Sequence, residues 1–221
     1  MTTQLKSIAM LCLYCYTTVA VAQSKLTLST GISNHLSASN DSLFFAKKQG
    51  LNLQLNAAHY WGRLGLGIKA GYNKHSNTNT LTPPNIPIDA RTNDVTGNGT
   101  QSTYVLIGPE LCLCYRKLKL MPTIKLGIAS TSADSSAIGI RAFNGQARQY
   151  KATIASQSSF AYNVGTILAY KVHQHVGIGL TIDYISHKVK HTLSDYRSAA
   201  AKLLTQPRRV LNTNLGIYFT F

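Results

Sequence analysis

Apolar and polar residues alternate along most of this chain. Leu51, Leu53, Leu55 and Ala57 are interleaved with Asn52, Gln54 and Asn56; Leu64, Leu66, Ile68, Ala70 and Tyr72 with Gly65, Gly67, Lys69 and Gly71. The same holds for Val176, Ile178, Leu180, Ile182 and Tyr184, with Gly177, Gly179, Thr181 and Asp183 between them. Strict period two over about ten residues marks a strand with one apolar and one polar face. Eight such runs are predicted, at 25–34, 50–61, 63–74, 103–115, 119–130, 158–170, 176–188 and 209–221. Amphipathic helical spacing is nearly absent. Beyond the first 22 residues no stretch approaches the roughly 18 apolar residues of a transmembrane helix.

Most of these runs exceed the five or six residues usual for a soluble strand. They match the roughly 9–11 residues with which a tilted strand crosses a bilayer. The connections alternate in length. Trp61-Gly62-Arg63, Arg116–Leu118 and Lys171–His175 are tight, whereas 35–49, 75–102, 131–157 and 189–208 are long, polar and rich in Ser, Thr, Asn and Gly. Short turns at one end and long loops at the other are the pattern of a membrane barrel. The polar face of the runs carries Gly, Asn, Thr and single charges, too small and polar for a dry core, so the Leu, Ile, Val, Tyr and Phe face is expected to meet lipid. Aromatics on that face gather near the strand ends: Trp61, Tyr115 and Tyr170 by the short turns, Tyr72, Phe160, Tyr162 and Tyr184 toward the long loops. They are expected to form two interfacial girdles. The fold class predicted is all-β, an eight-stranded antiparallel up-and-down transmembrane barrel.

The first 22 residues stand outside this pattern. Lys6 precedes an apolar run from Ile8 to Val21 that closes on Ala20-Val21-Ala22, the plan of a cleavable secretory signal peptide. Residues 1–22 are therefore expected to be removed and 23–221 to form the barrel. Cys12 and Cys15 leave with the leader, so Cys112 and Cys114 remain. Two residues apart on an extended strand they are poorly placed for a disulfide, and thiols are expected.

The chain stops inside its last strand, with Leu211, Thr213, Leu215, Ile217, Phe219 and Phe221 alternating with Asn212, Asn214, Gly216 and Tyr218. A terminal Phe preceded by apolar residues at every second position resembles the β-signal of bacterial outer-membrane proteins, carried here by Leu215, Ile217, Phe219 and Phe221. With the leader, the eight runs and the alternating loops, residues 23–221 resemble the small eight-stranded porin-family barrels typified by the transmembrane domain of outer membrane protein A. That resemblance implies a bacterial outer-membrane location, insertion by the Bam machinery, periplasmic termini and turns, and extracellular long loops. It does not imply one activity, because such barrels serve as structural proteins, adhesins, enzymes and secretion accessories.

Four charged residues fall on the predicted interior face at similar height, one from each of four strands: Lys69, Glu110, Lys125 and Asp183. An eight-stranded barrel is just wide enough for side chains to fill. Two cations and two anions at one level are expected to pair into an ion-pair plug, since unpaired buried charge is costly. A gated pore is the alternative. For catalysis, Lys74-His75-Ser76-Asn77 is similar to the His-x-Ser-Asn of lipid A deacylases but lacks the intervening residue. Adjacent His75 and Ser76 on a strand point to opposite faces and form no base–nucleophile pair. His173-Gln174-His175 and His187 with His191 lack the neighbours of a metal site, so neither a metal nor a cofactor is expected. Gly65, Gly67 and Gly71 are expected to make room in the lumen rather than to bind phosphate. Ser194–Gln206 has the composition of a short helix over the rim.

Composition sharpens the location rather than the chemistry. Lys+Arg number 22 against 7 Asp+Glu, a formal charge of +15, yet only 13% of residues are charged, so the imbalance comes from scarce acids. Bases are not piled along one face as in a nucleic-acid binder, and no nucleic-acid partner is expected. Lys25, Arg63, Arg116, Lys117, Lys119 and Lys171 lie toward the short turns. Arg141, Arg148, Lys151, Lys188, Lys190, Arg197, Lys202, Arg208 and Arg209 lie toward the long loops, as candidate contacts for lipopolysaccharide phosphates. The expected protein is a monomeric, non-enzymatic barrel with a narrow or occluded lumen, partnered by outer-membrane lipids and lipopolysaccharide, acting in membrane integrity or surface interaction. An accessory of a secretion or assembly system is the second reading and a lipid A-modifying enzyme the third.

Overall fold

The computed structural model describes residues 23–36, 49–75, 91–96, 99–141, 147–195 and 201–221. The signal peptide expected at 1–22 lies outside the described residues, as do Ser76, Asn77 and Arg197. The described chain is built of strands: β1 (Gln23–His35), β2 (Gln49–Trp61), β3 (Leu64–His75), β4 (Arg91–Thr96), β5 (Thr100–Leu111), β6 (Leu113–Tyr115), β7 (Leu118–Arg141), β8 (Ala147–Lys171), β9 (Val176–Asp195) and β10 (Ala201–Thr220). Eight of them close into one antiparallel cycle, β1-β2-β3-β5-β7-β8-β9-β10. The last strand closes on the first, Leu28 beside Ile217 and Ser33 beside Asn212. Phe221 N–H donates to Ser24 O at 2.9 Å and Ser24 N–H to Phe221 O at 3.3 Å. Closure leaves the eight-strand cycle without an open edge, which is the condition for a sheet to sit in lipid. Strand β6 continues β5 past Cys112, pairing Leu113 with Leu120, and β4 adds to the far end of β7, pairing Thr92 with Ile140.

Local sequence sets the tight turns. Gly62 has φ 69 between β2 and β3, a left-handed conformation glycine adopts without a Cβ clash. Arg116 takes φ 54 in the corresponding turn between β6 and β7. Tight turns fix the register of the flanking strands, and with it the face each residue takes.

The strands continue further from the short turns than the alternation indicates. Much of the loops expected at 131–157 and 189–208 is strand, in β7, β8, β9 and β10. The helix expected over Ser194–Gln206 is not formed by its described parts: Ala201 pairs with Ser194 and Leu204 with His191 in an antiparallel ladder. A hairpin already zipped below offers each added residue a ladder hydrogen bond, and that outweighs the few tenths of a kcal/mol by which Ala and Leu favour helix. These extensions escape the alternation test because both phases of their sequence carry Ser, Thr, Ala and charged residues.

The outer surface is apolar all the way round. Leu28, Leu53, Ile68, Ile107, Ile124, Val164, Ile178 and Leu215, one from each of the eight barrel strands, keep 49% to 70% of their surface exposed. A continuous apolar belt of this kind is unstable in water and matched to hydrocarbon. Trp61, Tyr115 and Tyr170 are exposed at its short-turn margin, and Phe160 and Tyr162 toward the long loops. Tyr162 and Tyr184 form a pair of rings 6.0 Å apart. The interior is less polar than the sequence pattern suggests. Tyr60, Tyr104, Leu106, Met121, Ile167, Ile185, Val210 and Tyr218 are buried there. In runs such as Tyr104-Val105-Leu106-Ile107 both phases of the alternation are apolar, so period two does not reveal that one of them turns inward.

Candidate functional site

The lumen is filled in layers, and each layer follows from register. Nearest the short turns, Ala58, Tyr60, Met121, Ile167, Ala169 and Tyr218 form an apolar cluster against Cys112. Lys25 enters this layer, donating from Nζ to Met121 Sδ at 2.8 Å and lying 5.4 Å from the Tyr218 ring centre. Lys25 lies at the short-turn end, as its position predicts, but is buried inside the barrel there.

The charged layer comes next. Lys125 Nζ lies 2.6 Å from Glu110 Oε1, and Lys69 Nζ lies 2.6 Å from Asp183 Oδ1. Glu110 also accepts from Asn56 Nδ2 at 2.9 Å and, on its second oxygen, from Tyr60 Oη at 2.5 Å. Asn163 bridges the other pair: its Oδ1 accepts from Lys69 at 3.2 Å, and its Nδ2 donates to Asp183 Oδ1 at 3.2 Å and to Tyr184 O at 3.0 Å. Each cation thus has a carboxylate and each carboxylate a neutral donor, which offsets the desolvation of the buried charges. The glycines of the interior face make the space. A Cβ on Gly67 would come within 2.3 Å of Glu110 Oε1 and 2.4 Å of Lys125 Nζ, and a Cβ on Gly165 within 2.0 Å of Asp183 Oδ1.

Above the charges, Tyr104, Leu106, Ala129, Ala161 and Ile185 form a second apolar cluster. The Tyr104 hydroxyl accepts from Asn52 Nδ2 at 3.3 Å and donates to Gln54 Oε1 at 3.2 Å, while Asn52 also donates to Asn73 Oδ1. Gly71 accommodates this ring, since a Cβ there would lie 2.2 Å from the Tyr104 hydroxyl. The topmost described layer is a polar chain. Arg208 Nη1 donates to Ser102 Oγ at 2.6 Å, Ser102 and Thr131 share a hydrogen bond of 2.7 Å, and Thr131 Oγ1 meets His187 Nε2 at 2.8 Å. Arg208 Nη2 donates to His75 Nδ1 at 2.8 Å, and the rings of His75 and His35 sit edge to face with centres 6.5 Å apart.

Arg208 therefore corrects the sequence reading, which set it among the lipopolysaccharide contacts. It is completely buried and faces the lumen. Its neighbour Arg209 is on the opposite face, and Lys188 and Lys190 are exposed outside. For Arg141, Arg148, Lys151 and Lys202 the strand positions alone are described. The parity of Arg208 was available: two-residue steps from Asn214 and Asn212 lead to it. With 189–208 read as a loop, that parity does not reach Arg208. Tyr60, Asn56 and Asn163 do not stand out in the sequence, because a polar residue inside a barrel is unremarkable until its partners on other strands are known. Among the described residues, no three or more His, Cys, Asp or Glu side chains converge as a metal site.

A closed eight-stranded sheet, apolar outside and packed with side chains inside, defines a small transmembrane β-barrel of the outer-membrane kind. The comparison with solved structures gives one match above a TM-score of 0.5 among those named here, and it shares that fold. The chain is similar to neisserial surface protein A (NspA), at 12% identity and a TM-score of 0.53, over 90% of this chain and 97% of that one. Ail, the attachment invasion locus protein of Yersinia pestis, aligns at 14% identity and a TM-score of 0.47, over 90% and 99% of the two chains. The outer membrane protease OmpT from Escherichia coli aligns at 10% identity and a TM-score of 0.37, over 90% and 96%. At 12% identity the likeness to NspA is one of fold alone. No family model and no curated protein sequence matches the chain.

Proposed function

We propose that this chain is a non-enzymatic barrel of the bacterial outer membrane whose lumen is occluded, and that it acts in membrane integrity or surface contact through its basic long-loop end. The observation that carries this reading is the charged layer. Lys69, Lys125, Asn163 and Asp183 have no solvent-exposed surface, and the apolar layers above and below them leave Leu106 and Met121 equally enclosed. Moving an ion through this section means breaking two buried ion pairs, each costing about 3–5 kcal/mol when one partner is lost. The wall supplies stability in place of a pathway. On this reading the short turns and both termini are periplasmic, and Lys188, Lys190 and Arg209, with Arg141, Arg148, Lys151, Arg197 and Lys202, meet the phosphates of lipopolysaccharide. Catalysis is disfavoured at the one sequence motif that suggested it, because His75 turns inward to Arg208.

Single-channel recording in planar bilayers tests the occluded lumen. The wild-type barrel and the Lys125→Ala variant are both expected to give no stable current. A stable ohmic conductance in the wild type would overturn the reading, and a conductance gained only by the variant would assign Lys125 to a gate.

A further inference from the structure

The short-turn mouth holds three sulfur atoms that the charged plug does not use. Strand pairing breaks at Cys112 between β5 and β6, one residue past Leu111, whose register partner on β7 is Pro122, which has no N–H to give. The register that pairs Glu110 with Thr123 and Leu113 with Leu120 sets Cys112 opposite Met121, and Cys114 pairs with Lys119. Cys112 and Cys114 are both free, with their Sγ atoms 3.3 Å apart; Cys112 is half-buried and Cys114 exposed. Both line a small cavity of about 60 Å³ with Met121, Lys25, Lys119 and Tyr60. Met121 Sδ faces this space as an acceptor, taking the Lys25 ammonium at 2.8 Å and lying 3.6 Å from the Tyr60 hydroxyl.

We propose that this mouth is a binding site for Cu(I), held by the thiolates of Cys112 and Cys114 with the Met121 thioether as third donor. Thiolate and thioether are soft ligands and select soft cations. Zn(II) instead takes four donors of the Cys, His or carboxylate type. The described residues bring no third such side chain to the pair. Geometry also separates a bridging metal from a disulfide. Two metal–sulfur bonds of about 2.3 Å at a trigonal angle hold the sulfurs about 4 Å apart, whereas a disulfide needs about 2.05 Å. From 3.3 Å the thiols open by less than an ångström to take the metal, and must close by more than one to join each other. Binding forms two Cu–S bonds and releases both thiol protons to solvent through the open mouth. The thioether adds without charge and copper keeps its oxidation state. The complex then carries one negative charge, in a cavity that the cations Lys25 and Lys119 also line.

The test is a titration of the intact barrel, folded in detergent under reductant, with Cu(I) delivered from a chromophoric Cu(I) chelator. The wild type is expected to take one Cu(I) per barrel. The Cys112→Ser/Cys114→Ser variant is expected to take none, and Met121→Leu to keep the stoichiometry with affinity lower by about tenfold. Urea unfolding followed through Trp61 verifies that each variant is folded. Equal Cu(I) uptake by the wild type and the double-serine variant would overturn the proposal, as would tighter binding of Zn(II) than of Cu(I). Met121→Leu without effect would remove the third donor and overturn the three-sulfur site.

Discussion

Replacing Lys125 by Met tests whether the charged layer holds the barrel together. Lys125 and Glu110 are 0% and 1% exposed and their charged atoms are 2.6 Å apart. With an effective dielectric constant of about 20, charges at that separation attract by about 6 kcal/mol, most of it offset by desolvation. Met fills the space of the Lys stem, so the change removes the charge with little loss of packing. Glu110 is then buried with only Tyr60 and Asn56 to donate to it. Breaking a buried pair in this way costs about 3–5 kcal/mol, and the two remaining donors put the expected loss near 3. The double variant Lys125→Met/Glu110→Gln removes the orphaned charge and keeps an oxygen for Tyr60, so its expected loss is only about 1 kcal/mol. Trp61 is the only tryptophan and sits at the lipid-facing margin, so its emission reports urea unfolding of the barrel in lipid vesicles. The reasoning is refuted if Lys125→Met costs less than about 1 kcal/mol, or if the double variant is as unstable as the single one.

Further expectations use the same unfolding assay or a direct binding measurement. Tyr60→Phe removes a charge-assisted hydrogen bond to Glu110 and is expected to cost about 1.5–3 kcal/mol; an unchanged urea midpoint would show that the bond contributes nothing. Gly165→Ala is expected to destabilise by about 1–3 kcal/mol, since its Cβ meets Asp183. Gly179→Ala, where the nearest atom is 3.5 Å away, is expected to be close to neutral, and equal losses at the two sites would refute the space-making role. Arg209→Gln with Lys188→Gln is expected to lower co-purified lipopolysaccharide. Arg208→Gln is expected to leave it unchanged while weakening the barrel, and the reverse pattern would return Arg208 to the surface.

Alternation alone is enough to specify a two-faced strand, and β1, β2 and β3 lie within a residue or two of where it predicts them. The physical reason is that lipid on one side and a crowded lumen on the other impose opposite polarity on successive side chains. The same parity puts Lys69, Glu110, Lys125 and Asp183 on one face, and glycine at 67, 71 and 165 beside the bulky groups of neighbouring strands. Beyond the apolar belt the signal ends, because in 131–157 and 189–208 both phases of the sequence mix polar with small or apolar residues. That is why the extensions of β7 to β10 read as loops and why the inward parity of Arg208 does not stand out in the sequence.

Partnership was decided only by the tertiary structure. Two cations and two anions at similar height can pair in two ways, and closure chooses Lys69 with Asp183 and Lys125 with Glu110. Register around the closed sheet, set by the Gly62 and Arg116 turns and by the β1–β10 seam, fixes which walls face each other. A single chain read in order gives the phase of each strand but not the stagger between strands. So the sequence by itself determined a membrane barrel whose inner face brings Lys69, Glu110, Lys125 and Asp183 to similar height. The layered packing of that interior, and the meeting of Cys112, Cys114 and Met121 at its mouth, came from the stagger of the closed sheet.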